Sequence, residues 1–254
     1  MSSRQLRIGV FMPSSVQLLD LATVDVLASM SKEYLGLLPL PAHISNVAPS
    51  TKISYITSPK LFPHVALTAD LYVRATHTYE DDDVAPGKLD IVVVPGTEPA
   101  DKFEDEAKKW LREQFHTEGV DVLCVCTGVF LCGEAGILNG KSVSGPRGLQ
   151  DDLRKKYPEV KFVGEKYRWI QDGNLWSSGG ITNGNDMMVA YAYASNKYWP
   201  RSVVSMGAML TDVGDRPQLY DQGQRKFFLT MAWHIIQAWF SSLVSSQKGL
   251  KKKD

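Results

Sequence analysis

The chain has 254 residues, 44% of them hydrophobic and 10% aromatic, enough apolar material for one large core and too much for a disordered chain. Its 28 Lys and Arg balance 28 Asp and Glu, so no net positive field recruits nucleic acid. No run of about 18 apolar residues marks a membrane span, the opening MSSRQLRIGVFMP patterns as a strand rather than a secretory leader, and three clustered cysteines, Cys124, Cys126 and Cys132, suit a reducing, cytoplasmic compartment better than a disulfide framework.

Leu6–Met12 (LRIGVFM), closed by Pro13, predicts a buried strand. Residues 18–30 carry helical spacing, with Asp20 near the start as a first-turn acid. Residues 43–74 are rich in β-branched side chains broken by Pro49, Pro59 and Pro63, which predicts a strand plus a hairpin-like excursion. The acidic run at 80–83 (EDDD) patterns as a solvated loop, and residues 90–94 (DIVVV), ended by Pro95-Gly96, as a parallel strand. Residues 101–115 predict an amphipathic helix with Phe103, Ala107, Trp110 and Leu111 on one side. A second buried strand over 120–125 runs into Cys126-Thr127-Gly128 and a helix at 129–135.

Two short strands, 141–144 and 161–163, flank a helix at 148–157, and Asp172-Gly173-Asn174 marks a hairpin within 168–177. Gly179-Gly180 opens a helix that runs to about residue 196. The last helix, at about 221–245, has an apolar stripe of Phe227, Phe228, Met231, Ile235, Trp239 and Leu243, read as core or dimer surface rather than a ligand box. The basic run 248–253 (KGLKKK) is a solvated tail, so a single domain spans 1–246 with a tail at 247–254. Strands alternating with helices, several of the strands uniformly apolar, call for an α/β fold with a mostly parallel sheet covered on both faces.

The informative stretch is 122–140 (VLCVCTGVFLCGEAGILNG). A buried strand ends at Cys126 and small residues follow as a helix begins. A side chain at that junction sits on a sharp turn at the carboxyl edge of the sheet and projects into the crevice where open α/β sheets bind ligands. The N–H groups that follow lack intrahelical acceptors, so they can stabilise an oxyanion and favour thiolate over thiol. Cys126 is thereby a candidate nucleophile, against the alternative of an inert buried cysteine. Cys124, inside the strand, and Cys132, one to two turns into the helix, pattern as core thiols. No Cys or His partners stand at metal-site spacing, and neither metal nor cofactor is expected.

CTGVFLCGEAGILNGKSVS resembles the nucleophile region of the ThiJ/PfpI superfamily, the class I glutamine amidotransferase-like group. SVQLLDLATVDVL (15–27) resembles its first loop and helix, VVVPGT (92–97) its oxyanion turn, and RWIQDGNLWSSGGITNGNDM (168–187) its late hairpin and Gly-Gly-x-Thr-x-Gly-x-Asp helix start. The motifs are most like the isocyanide (isonitrile) hydratase-like branch and the sensor domains of AraC-type regulators. The resemblance implies a flavodoxin-like three-layer sandwich with a strand–nucleophile–helix elbow, and a homodimer that needs no cofactor and binds neither nucleic acid nor membrane.

It also implies Cys126 as nucleophile and Asp20 as the acid that shares its proton, the alternative for Asp20 being an ordinary helix-start acid. Gly96, Thr97 and Thr127 match positions lining the oxyanion and substrate pocket, the alternative being turn and cap chemistry. Pro146 stands where many members carry a histidine, which counts against a Cys-His protease or glutaminase. Arg147 either faces the pocket or starts the next helix toward solvent, and Asp186 has the place of a cap. Further pocket walls are expected from loops at 39–41, 76–86 and 198–201. The implied activity is a hydro-lyase that adds water to a small electrophile, an isocyanide giving an N-formamide. The alternatives are a glyoxalase or deglycase acting on aldehydes, and a non-catalytic redox sensor or small-molecule-binding protein.

Overall fold

The computed structural model describes residues 5–250, with side chains as far as Ser241. β1 (Leu6–Met12) leads into two short helices, α1 (Leu18–Leu21) and α2 (Val24–Ala28), and then α3 (Lys32–Leu35) and α4 (Ala42–Ser45). β2 (Thr51–Thr57) precedes a hairpin of β3 (His64–Leu67) and β4 (Leu71–Arg74), followed by β5 (His77–Thr78) and β6 (Ile91–Val94). α5 (Asp105–His116), β7 (Asp121–Val125), α6 (Gly128–Glu134), β8 (Ser142–Val143), α7 (Gln150–Lys156) and β9 (Lys161–Phe162) come next. β10 (Trp169–Asp172) and β11 (Leu175–Ser178) form a second hairpin, and α8 (Asn183–Ala194), α9 (Arg201–Thr211) and α10 (Gln224–Leu250) end the described chain.

The main sheet runs β10-β11-β7-β6-β1-β2-β5, and all its neighbours pair in parallel except β10 with β11. This is the flavodoxin-like α/β arrangement that alternating helices and apolar strands call for. Side-chain alternation splits the core in two. Ile8, Val10, Ile91, Val93, Leu123 and Val125 face α2, α8 and α9, while Phe11, Val92, Val94, Val122 and Cys124 face α5, α6 and α7. Both faces are sealed, and each fully buried aliphatic contributes about 1.5–3 kcal/mol. From the central β1, the chain moves first to β2 on one side and then to β6 on the other. The connections therefore diverge between the carboxyl ends of β1 and β6, opening a crevice there.

The structure departs from the sequence pattern in several places, the short unpredicted helices α3 and α4 among them. The helical spacing at 18–30 is two helices, because the Thr23 hydroxyl donates to the Asp20 carbonyl at 2.8 Å and breaks the helical ladder. α9 answers to no predicted element; it starts after Pro200 and ends at Asp212 in a left-handed cap. The helix predicted from Gly179-Gly180 starts only at Asn183. Finally, α10 runs from Gln224 to Leu250, where the pattern predicts about 221–245. Of its predicted stripe, Phe227 and Phe228 are half-buried while Met231, Ile235 and Trp239 are exposed rather than core. The Leu243 side chain and the last residues of the basic tail lie outside the described residues. Among the described residues no helix is long and apolar enough to cross a membrane.

α8 lies close against the sheet because Gly184 has no side chain: a Cβ there would fall 2.8 Å from Thr23 Cγ2 and 2.8 Å from Val125 Cγ1. Both neighbours are β-branched and stiff. Gly184→Ala is expected to lower the melting temperature by roughly 2–8 °C, overpacking outweighing the gain in helix propensity. Gly180→Ala, where a Cβ meets nothing within 4 Å, is expected to leave it unchanged in the same thermal melt.

Candidate active site

Three loops converge at the divergence point. After β1, Val16 bridges Thr97 on one side and Leu67 of the β3–β4 hairpin on the other, and the Gln17 N–H donates to the Gly96 carbonyl at 2.8 Å. This stitch carries α1 across the sheet edge and turns Asp20 inward. After β6 comes Pro95-Gly96-Thr97, and after β7 the Cys126 turn. Together they enclose a cavity of about 420 Å³ whose lining includes Asp20, Gly96, Thr97, Cys126 and Thr127.

Cys126 sits on a left-handed backbone, φ 55°, rare for a residue with a Cβ. Strand alternation would put it on the face of Cys124, against α5–α7. The turn carries it instead to the opposite face, beside Val125 and Met187. Its N–H donates to the Ser178 carbonyl at 3.2 Å, tying the turn to β11. Gly128 makes room: a Cβ there would come 2.6 Å from the Val94 carbonyl oxygen.

Burial pushes the Cys126 thiol up to about 11, and the Asp20 charge acts the same way, while the Ile181 and Thr127 amides pull it back. The acidic thiol expected from the helix start is therefore not what the folded chain holds at rest; desolvation beside a carboxylate outweighs two amides. Asp20 is fully buried. Burial raises its carboxyl to about 6, against the pull of the Cys126 thiol and the Gly96 amide. Neither carboxyl oxygen has a hydrogen bond of ordinary geometry, so thiol and amide bias its charge by proximity rather than by alignment. Between about pH 6 and about 11 the pair thus shares one proton. Gly96 is fixed by the same crowding, since a Cβ there would strike Asp20 Oδ2 and come 2.7 Å from Thr127 Oγ1.

The Thr97 hydroxyl is sealed in the cavity wall and has no hydrogen-bond partner among the described residues, a buried donor able to meet an acceptor in the cavity. Leu67, Thr68, Gln17, Glu98 and Ile181 complete walls that sequence reasoning missed. The Val16 bridge to Leu67, and the Leu18 N–H that donates to the Thr68 hydroxyl at 2.9 Å, bring the hairpin to the site. The Gly-Gly turn before α8 was the one signal for Ile181. The loops at 39–41, 76–86 and 198–201 do not line the cavity. Neither does Arg147. Its guanidinium stacks 4.2 Å over Tyr220 and 5.4 Å from Phe227, donates to the Gln222 carbonyl, and faces a separate groove beside α10.

Asp186 is not a helix cap: its Oδ1 accepts from the Gly214 N–H at 3.1 Å and it pairs with Arg216, which holds the loop after α9. Cys124 and Cys132 are fully buried, and the hydrogen bond to Cys132, with burial, raises the Cys124 thiol. Among the described residues no histidine lines the cavity. Among the described residues no group of three or more His, Cys, Asp or Glu is placed to hold a metal.

A model of the DJ-1/PfpI family matches residues 52–194, more than half of the chain. The chain belongs to the DJ-1/PfpI family. The matched span contains the Gly96-Thr97 turn and the Cys126 elbow, and Asp20 lies before it. Over 190 residues the chain is 30% identical to an isonitrile hydratase of Pseudomonas putida, covering 74% of this chain and 71% of that protein. A THiJ/PfpI family protein from Pseudomonas syringae shares the fold with a TM-score of 0.64 at 16% identity, over 94% of this chain and 88% of that one. DJ-1beta of Drosophila melanogaster does so with a TM-score of 0.62 at 17% identity, over 82% and 98%.

The Asp20 carboxyl ionises at about 6 in the fold against an ordinary 3.8, so the folded state binds the proton more tightly. Its contribution to stability is fully present below pH 3.8 and is lost as pH rises through about 6. Asp20→Asn, neutral throughout, is expected to be more stable than the parent at pH 7.5 by up to about 3 kcal/mol, and no more stable at pH 3.5. Urea unfolding at the two pH values checks this.

Proposed function

We propose that this DJ-1/PfpI protein is a cysteine-dependent hydratase that converts a small, uncharged isocyanide and water into an N-formamide. The observation that carries this reading is a buried thiol, Cys126, and a buried carboxyl, Asp20, lining one cavity. The isonitrile hydratase relative supports the substrate class.

In the proposed course, Asp20 takes the Cys126 proton as the sulfur attacks the terminal carbon of R–N≡C. The same carbon receives that proton from Asp20, giving a thioimidate, R–N=CH–S–Cys126. Water then adds to this carbon while the Asp20 carboxylate accepts one of its protons and the nitrogen gains one. The C–S bond breaks, the sulfur leaves as thiol, and R–NH–CHO departs. Atoms balance as isocyanide plus water, with no redox change. The Thr127 and Ile181 amides stabilise the sulfur as thiolate and as leaving group, and the Thr97 hydroxyl supplies a donor for the substrate nitrogen.

Asp20 and Glu98 give the lining two carboxyl groups, and among the described residues it has no Lys, Arg or His. Such a cavity repels anions and favours neutral substrates.

Neutral alkyl and aryl isocyanides are expected to yield formamides, followed by chromatography, while isocyanoacetate reacts at least tenfold more slowly. Cys126→Ala should leave no turnover, and Asp20→Asn should lower kcat/KM by about 10²–10⁴-fold. Below pH about 6, where the pair gains its second proton, kcat/KM should fall about tenfold per pH unit. Absence of formamide from every isocyanide, or an unchanged rate in Cys126→Ala, overturns the reading. Lactate from methylglyoxal with no isocyanide turnover would replace it with aldehyde chemistry.

A further inference from the structure

Beyond the half-buried Phe227 and Phe228, every residue of α10 from Leu229 to Ser241 is exposed. At 3.6 residues per turn, Ile235, Trp239, Ile236, Leu229, Phe240 and Trp233 follow one another around about 160° of this helix. Thr230, His234, Gln237 and Ser241 occupy the opposite side. Thr230 and His234 line the groove between α10 and Arg147. The polar stripe is thus turned toward the domain, and the centre of the apolar arc is turned away from it.

The six residues of the arc are, in that order, 61%, 58%, 44%, 71%, 56% and 58% exposed. Taking about 200 Å² for a large side chain, they present roughly 700 Å², more than the 300–600 Å² or so of the largest apolar patch on a typical monomer. The arc is broader than the narrow strip that one partner helix covers. It also carries two tryptophans, a residue that collects at membrane–water interfaces.

Charge points the same way. No Asp or Glu occurs between Asp221 and Asp254. From residue 224 onward six Lys and Arg stand against one Asp, a net +5, while residues 1–223 carry 22 against 27, a net −5. The zero balance of the whole chain conceals a basic segment joined to an acidic domain. A negatively charged surface attracts the first and repels the second.

We propose that α10 docks this protein on an anionic phospholipid surface, the helix lying among the headgroups with its apolar arc turned into the acyl boundary. The exposed Arg225 and Lys226 at its start meet lipid phosphates. The polar stripe stays on the domain side, so hydrocarbon does not have to bury it. Among the described residues no helix can cross a membrane, so α10 lies on the bilayer rather than through it. The family likeness implies no membrane contact, but α10 lies outside the matched span of 52–194. The surface is away from the Cys126 cavity, and the inference stands whatever the substrate.

Flotation of the full chain with phosphatidylcholine–phosphatidylserine (3:1) vesicles tests it. The parent is expected to float, with a blue shift of its tryptophan emission, and to bind vesicles of phosphatidylcholine alone at least tenfold more weakly. The triple variant L229E/W233E/F240E should stay at the bottom of the gradient while keeping the thermal melt of the domain. R225Q/K226Q, which leaves the arc intact, should lose about fivefold in affinity for each cation removed. A parent chain that does not float overturns the inference. So does flotation that the triple variant retains, since it would use another surface, and so does equal binding to neutral and anionic vesicles. Self-association without vesicles, lost in the triple variant and accompanied by no flotation, would assign the arc to a protein contact instead.

Discussion

The site depends on one backbone conformation. A left-handed φ at Cys126 costs on the order of 1–3 kcal/mol for a residue with a Cβ, and the surrounding chain over-determines it. β11 accepts its N–H through Ser178, and two glycines, at 96 and 128, leave the space its neighbours need. With regular strand geometry the thiol would join Cys124 and Cys132 in the core under α5–α7. With the turn, it enters the crevice between β1 and β6 and meets a carboxyl delivered from the other side of the sheet's divergence point. Topology supplies the meeting place and a single dihedral supplies the meeting.

Burying Asp20 is unfavourable in isolation, and the fold tolerates it where it is useful. For the proposed reaction, a carboxyl in water would hold its proton too weakly to return it to a carbon at neutral pH. Desolvation raises its affinity and, at the same time, keeps the thiol protonated. Thiolate character is therefore not a resting property of this cysteine. In the proposed course it arises together with proton transfer, which would limit the exposure of a reactive sulfur to other electrophiles and oxidants.

Much of this was legible in the residues. β1 falls where LRIGVFM places it, the Asp172-Gly173-Asn174 hairpin is present, and Cys126, Asp20, Gly96, Thr97 and Thr127 do converge. Local pattern carries such features because strands, tight turns and small residues at a strand–helix junction each have short-range causes. The failures have long-range ones. Arg147 adjoins the right strand but is drawn to the Tyr220 and Phe227 rings, more than seventy residues away. Leu67 and Thr68 reach the cavity through a bridge to Val16 that no periodicity announces. The thiol's proton affinity depended on weighing burial and a neighbouring charge against two amides, which spacing alone does not measure. α10 displayed its apolar stripe plainly, but a stripe does not say what covers it.

The tryptophans divide along the same line. Trp110, Trp169, Trp176 and Trp199 are buried in the two halves of the core, whereas Trp233 and Trp239 are each 58% exposed on α10. The folded chain therefore carries two optical populations, one shielded from water and one bathed in it. Aqueous quenchers reach only the second, so intrinsic fluorescence can follow what happens along α10 while the core remains a silent internal reference.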